Sequence, residues 1–405
     1  MLRAILFRDS IRRLVCLGMV VIAAGLFGCA KTQRGAKGML DTPLHHYETG
    51  MRQIDGGKPD AALQSFNTAL QLNAEYGPAL AGKGLVLAMN GTVGEALELI
   101  RSGQQNADRS SGSPERMWTL VAEQRAFIAL HEKGMTSDSV LLRETRRAFN
   151  DARIADEQAA MPWYWEGVAY LRALEFDDAR SFFREAQARD QGYAELAGQK
   201  LELLEKIIKA SLQTSVGKRI ALVDQLSRAD MAALLVEELG VEKFFEGTEV
   251  PDTSTFAAPR SATADAGQGT AAVSQGMDTA DIQDHPLAAD IRAVLPYRMR
   301  GLQPYADGSF QPDKPVTRAE MALILEDIYI RARNDSALAT RFMGQDSPFP
   351  DVRSDHPYFN SVMFVTSRGL IHADLARGLF KPLDPVSGVD AVLFINAMKT
   401  ELDVF

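Results

Sequence analysis

Only two cysteines occur in 405 residues, Cys16 and Cys29, so from residue 30 onward there is no thiol for a disulfide, a thiolate metal site or a nucleophile. Basic charge is also scarce. Lys and Arg number 44 against 53 Asp and Glu, a formal net charge of −9, and an acidic chain is a poor partner for nucleic acid, whose phosphates need a basic surface. Long apolar runs are missing: Leu14 to Leu26 is too short to span a bilayer as a mature helix. There is no HExxH, no GxSxG elbow and no Walker phosphate loop. The six histidines, His45, His46, His131, His285, His356 and His372, have no cysteine cluster beside them. No metal, cofactor or catalytic residue is assigned, and a non-enzymatic protein is expected. A glycosidase would need two carboxylates roughly 5 to 9.5 Å apart, a pair that sequence alone does not identify.

What is present begins with a leader. Arg3, Arg8, Arg12 and Arg13 precede the apolar segment and small residues follow, which is the order of an export signal over 1–28. Its end, Leu26-Phe-Gly-Cys29, resembles the lipobox of bacterial lipoproteins, in which the cysteine is lipidated; ordinary signal cleavage is the rival reading. Removing the leader takes the net charge to about −12. Residues 29–42 read as a flexible tether from a membrane anchor. Ala30 lacks the aspartate that favours inner-membrane retention of enterobacterial lipoproteins, so an outer-membrane site facing the periplasm is expected.

From residue 43 to about 200 the sequence repeats. Gly50, Ala62, Phe66 and Ala69 return 34 positions later as Gly84, Ala96, Ile100 and Gly103, and again as Gly167, Ala179, Phe183 and Ala186 with Trp163 and Tyr170. Phe149 and Ala152 mark a further, longer repeat over 115–157. The pattern resembles the tetratricopeptide repeat, which implies about four stacked helical hairpins and a protein partner that the sequence does not name. Glu166 stands where that pattern has Leu and is expected only to weaken one contact. Leu201, Leu203, Leu204, Ile207 and Ile208 give an amphipathic helix over 191–212.

The C-terminal part is organised around Tyr305 to Glu320. Asp307-Gly308 supplies a turn, Pro312 and Pro315 exclude helix, and Thr317-x-x-Glu320 has capping-box spacing before Met321 to Ile324. Arg318 in the first turn opposes the helix dipole. Beside free backbone N–H groups, however, a guanidinium can grip a carboxylate or phosphate. The bland reading is a surface arginine paired with a carboxylate such as Asp313. The start recurs as Ser227-Arg228-Ala-Asp230 and Ser387-Gly388-Val-Asp390. Asp281-Ile aligns with Asp351-Val, Arg300-Gly-Leu302 with Arg368-Gly-Leu370, and Phe310-Gln-Pro312 with Phe380-Lys-Pro382.

These motifs in this order resemble S-layer homology domains. The resemblance implies three units, a connecting helix with a degenerate first unit over 201–250, then 281–345 and 346–405, forming a pseudo-threefold helical bundle. A linker over 251–280, rich in Ala, Gly, Ser and Thr, separates the first two. The whole chain is then all-α, a helical solenoid followed by a helical bundle. The family binds wall polysaccharide or peptidoglycan, so Arg318 and Arg228 are carried over as anion-gripping residues. Thr317, Glu320, Asp307, Asp281 and Asp351 are placed around them, and Gly388 leaves the third position empty. The reading that results is a cell-envelope lipoprotein bridging membrane and wall. An assembly or pilotin-like lipoprotein for a secretion or pilus complex is the alternative. Growth with an alkyne fatty acid should label the chain, and Cys29→Ala should abolish the label on a gel.

Overall fold

The computed structural model describes residues 33–110, 113–189, 192–245, 279–374 and 376–402. The signal segment, Cys29 and residues 251–278 of the expected linker lie outside them. Among the described residues the chain is helical, with isolated β-bridges and no strand, and no helix is long and apolar enough to cross a membrane. It divides into two compact units, Met1–Gly198 and Gln199–Phe405.

The first unit is a run of four helical hairpins. They are α1 (Pro43–Asp55) with α2 (Pro59–Leu72), α3 (Gly77–Met89) with α4 (Val93–Asn106), α5 (Glu115–Glu132) with α6 (Asp138–Ala155), and α7 (Ala160–Arg172) with α8 (Phe176–Arg189). Each hairpin turn needs one left-handed residue. Gly57, Gly91 and Gly134 supply it at φ 70°, 86° and 69°, while the fourth turn puts Leu174 at φ 62°, a strain of about 1 kcal/mol. The periodic small residues let the helices touch. A Cβ on Gly50 or Gly82 would stand 2.5 or 2.6 Å from the Phe66 ring, and one on Gly167 would stand 2.9 Å from Phe183. Both rings are fully buried, so each aromatic fills a slot that glycine opens. The helices of the third hairpin have 18 residues each, the longer pair expected over 115–157.

Two expectations for this unit change. The first concerns the flexible tether, which is shorter than 29–42. Arg34 N donates to Gln71 O at 2.7 Å, its guanidinium grips Asp41 at 2.7 and 2.8 Å, and Asp41 also meets His46 of α1 at 2.8 Å. The chain is therefore fastened to the repeats from Arg34 onward. The second concerns Glu166, which knits three helices together instead of merely weakening a contact. It is 0% exposed, accepts from Gln124 Nε2 of α5 at 3.1 Å, and lies 3.1 Å from Arg146 Nε of α6. The Arg146 contact is charge attraction without hydrogen-bond alignment. Burial raises the Glu166 carboxyl to about 7, only partly offset by Arg146 and Gln124.

Helix α9 (Ala194–Lys209) carries the amphipathic pattern expected over 191–212. In the second unit a short helix alternates in sequence with a following helix three times, and Ala288–Val294 packs on Arg228–Leu234 as Phe359–Ser367 packs on Arg318–Arg333. In order these are α10 (Ser215–Ile220) and α11 (Arg228–Leu234), α12 (Ala288–Val294) and α13 (Arg318–Arg333), and α14 (Phe359–Ser367) and α15 (Gly388–Glu401). Each second helix starts on its expected cap. Ser227 and Asp230, and Thr317 and Glu320, form complete capping boxes, and Ser387 Oγ accepts from Asp390 N at 3.2 Å.

The residues just before these caps close a ring. Leu226 N donates to Val386 O at 2.8 Å, Val386 N to Val316 O at 2.9 Å, and Val316 N to Leu226 O at 2.8 Å. The next donors continue the exchange between units. Arg228 N and Ala229 N donate to Lys314 O and Pro312 O, Arg318 N and Ala319 N to Asp384 O and Pro382 O, and Gly388 N to Val223 O. The first-turn N–H groups, which a helix cannot satisfy internally, are thus met by the neighbouring unit. The third joint is the tightest: a Cβ on Gly388 would lie 1.8 Å from Ile220 O, so no side chain fits.

Glu166 should make the first unit pH-dependent. A carboxyl raised in the fold above its unfolded range, near 4.5, gives stability that is complete below that range and is lost as pH rises through about 7. At 1.36 kcal/mol per unit the loss between pH 4 and 8 approaches about 3 kcal/mol. Glu166→Gln should flatten this dependence and stabilise the unit at pH 8. Urea unfolding read by tryptophan emission checks it, since Trp118, Trp163 and Trp165 all lie in the hairpins.

Candidate functional site

Arg228 and Arg318 occupy the same position in successive units, one residue after the cap, and make the same first contact. Arg228 Nε donates to Phe310 O at 2.8 Å and Arg318 Nε to Phe380 O at 2.8 Å. Each guanidinium also lies over the ring of that phenylalanine, at 4.7 and 4.8 Å. Beyond this they differ. Arg228 also donates to Gly301 O at 3.0 Å and Gln303 O at 2.8 Å, the Tyr305 ring lies 4.9 Å away, and the residue is 2% exposed. Its guanidinium is enclosed in the joint. Among the described residues Arg318 has one further carbonyl, His372 O at 2.8 Å, and remains half-buried.

The other expected binding residues also serve the fold. Asp281 accepts from Phe310 N and Gln311 N at 2.9 and 2.7 Å, and Asp351 accepts from Phe380 N and Lys381 N at 3.1 and 2.7 Å. Gln311 and Lys381 are left-handed, at φ 55° and 58°, so each aspartate clasps a strained turn. Asp307 binds Ser309 N and Oγ of its own exposed turn at 2.9 and 2.7 Å. Thr317 and Glu320 are occupied with each other. The free N–H groups expected beside Arg318 are also engaged, by Asp384 O and Pro382 O.

A groove of about 370 Å³ remains at Arg318. His372, Asp374, Phe380, Lys381, Asp384 and Asp390 line it with the arginine. Lys381 Nζ pairs with Asp374 at 3.0 Å, which holds the Asp374 carboxyl below its ordinary value. Among the described residues the hydrogen-bond partners of Arg318 are carbonyl oxygens, so dipoles solvate its charge and no carboxylate is bonded to it directly. Burial lowers its pKa, and the Asp390, Asp384 and Asp351 charges oppose that shift. The groove therefore offers a planar cation held by carbonyl dipoles and flanked by hydrogen-bond acceptors, which suits a ligand bearing both an acidic group and hydroxyls. Of the groove residues outside the aligned motifs, His372, Asp374 and Asp384 carried no sequence signal.

Two family models match the chain, the S-layer homology domain at residues 302–322 and 348–391, and the tetratricopeptide repeat at 47–114. The chain carries a tetratricopeptide repeat region and an S-layer homology domain. No curated protein and no solved structure matches it. The repeat match spans the first two hairpins, and the S-layer homology match spans the Arg318 helix start and the unit that forms the groove. Both are non-catalytic binding modules. The S-layer homology domain implies association with the cell envelope and suggests wall-glycan binding; the tetratricopeptide repeats suggest protein interaction.

The two arginines should separate on mutation. Arg228→Ala deprives three carbonyls, that of buried Phe310 among them, of a charged donor and should lower the stability of the C-terminal unit by about 3 kcal/mol. Arg318→Ala removes two bonds at a half-buried site and should lower it by about 1 kcal/mol. Calorimetry resolves this if the tryptophan-reported transition of the repeats stays in place.

Proposed function

We propose that the protein is a non-enzymatic lipoprotein of the cell envelope that tethers a membrane to the wall. Acyl chains on Cys29 hold it in the membrane, on the outer membrane facing the periplasm where the cell has two. The S-layer homology unit binds a wall glycan, and the tetratricopeptide repeats recruit a protein. The observation that carries the reading is the open groove at Arg318, in which the guanidinium meets an acidic substituent of the glycan. Asp384 and Asp390 accept hydrogen bonds from its hydroxyls.

The bridge works through linkage of weak sites. Attachment at one end raises the effective concentration at the others by mass action, so moderate affinity at each suffices. Arg228 contributes by fixing the joint between the first two units, with no contact to ligand. Co-sedimentation of the purified protein with isolated cell wall tests the glycan site. Arg318→Ala should weaken binding ~10-fold or more, the effect of a charge-assisted contact of roughly 1.5–3 kcal/mol. Unchanged binding in the Arg318→Ala/Lys381→Ala double variant would refute the groove, and release of soluble sugar would point instead to an enzyme.

A further inference from the structure

The segment before the first repeat helix is built as a closed loop with an apolar tip. Asp41 is its hub: the carboxylate accepts both arms of Arg34 at 2.7 and 2.8 Å, Lys37 N at 2.7 Å and His46 Nε2 at 2.8 Å. Arg34 and His46 hold the Asp41 carboxyl well below the usual carboxylate range, so the clasp stays charged near neutral pH. Asp41 N closes the turn on Gly38 O at 3.1 Å. At the tip Met39 is 97% and Leu40 72% exposed, with Leu44 of α1 beside them at 43%. A loop fixed this firmly with two large apolar side chains pointing into water is built for contact with something apolar.

We propose that this loop is a second membrane contact, with Met39 and Leu40 entering the headgroup region of a lipid bilayer. Covalent reach supports lipid as the occupant. Four residues lie between Cys29 and the fastened Arg34, and the five Cα steps span at most about 17 Å fully extended. If Cys29 is lipidated, as the proposed function has it, the loop cannot leave the bilayer surface by much more than a headgroup layer. Charge agrees. In a chain of net charge −9 the one acid between Gln33 and Tyr47 is Asp41, which Arg34 neutralises, leaving the exposed Lys37 to face anionic headgroups. A shallow wedge of two side chains also matches interfacial insertion of about 5–10 Å rather than the larger face of a protein groove.

The test uses the purified lipoprotein in phosphatidylglycerol-containing vesicles, with Leu40→Trp as reporter and Ile154→Trp, an exposed apolar position on the repeats at 80% exposure, as control. Emission added by Leu40→Trp should be blue-shifted and quenched by brominated lipid, while that added by Ile154→Trp should not be. Unquenched, water-like emission from vesicle-bound Leu40→Trp overturns the proposal and leaves the lipid anchor standing. Shielding of the indole by added envelope protein without lipid overturns it in favour of a protein partner. A second arm is independent of the anchor: the Cys29→Ser protein should still bind these vesicles, and Met39→Ser/Leu40→Ser should reduce that binding ~10-fold. Equal binding of the Cys29→Ser protein with and without the serine pair overturns the proposal.

Discussion

Three backbone hydrogen bonds, from Leu226 to Val386, Val386 to Val316 and Val316 to Leu226, close the S-layer homology unit on itself. The ring solves a problem that every helix start poses. A first turn leaves its N–H groups without partners, and burying three such starts together would cost about 1–3 kcal/mol for each donor left unmet. Each unit instead offers carbonyls to the helix start of the one before it. Pro312, Pro315, Pro382 and Pro385 suit those segments because proline supplies a carbonyl and brings no donor that would itself need a partner. The caps complete the set, since Ser227, Thr317 and Ser387 serve the third N–H of each turn.

Closure of the ring also decides the fate of the residue after each cap. Its side chain must leave through the joint with the neighbouring unit, and the three joints differ. Between the first and second units the Tyr305 ring lies beside the guanidinium, and Arg228 is sealed in as a polar rivet. Between the second and third, Phe380 is the ring over Arg318 among the described residues, and a groove stays open. Counting back from the paired phenylalanines places Leu375, outside the described residues, opposite Tyr305 in the sequence. Between the third and first, the Ile220 carbonyl occupies the exit and only Gly388 can close it. One sequence position thus gives a structural bond, a candidate binding cation and a steric requirement for glycine.

That divergence marks what the sequence could and could not tell. The fold was legible because its signals are local. Capping pairs at Ser227, Thr317 and Ser387, turn glycines and the small-residue period of 34 depend on a few neighbours along the chain, and each appears in the structure where the pattern put it. The role of a repeated arginine depends on a residue 77 positions away at Tyr305, which alignment of the helix starts does not reveal. The clasps made by Asp281 and Asp351 were hidden for the same reason. The aspartates recur because the left-handed Gln311 and Lys381 need a carboxylate clasp, a demand that looks identical to conserved chemistry when only the repeat is visible. Glu166 departed from its pattern and gave a signal, but its partners Gln124 and Arg146 lie on other helices, so the exception could be seen and its meaning could not.

The proposed bridge follows from where the chain is fastened and where it is open. Arg34 converts most of an apparent tether into structure, which confines the repeats near the membrane if Cys29 carries lipid and limits how far the anchor alone can reach toward a wall. A shorter tether searches a smaller volume, so a partner within reach meets the site at higher effective concentration, and one beyond reach is not met at all. The remaining slack must then come from elsewhere in the chain or from the glycan itself, a polymer that can approach the groove. On this view the mixed charge of the groove is an advantage. Asp384 and Asp390 would repel a bare polyanion, so the proposed site would favour a ligand that brings hydroxyls along with its acidic group, with selectivity set by the flanking carboxylates as much as by the cation.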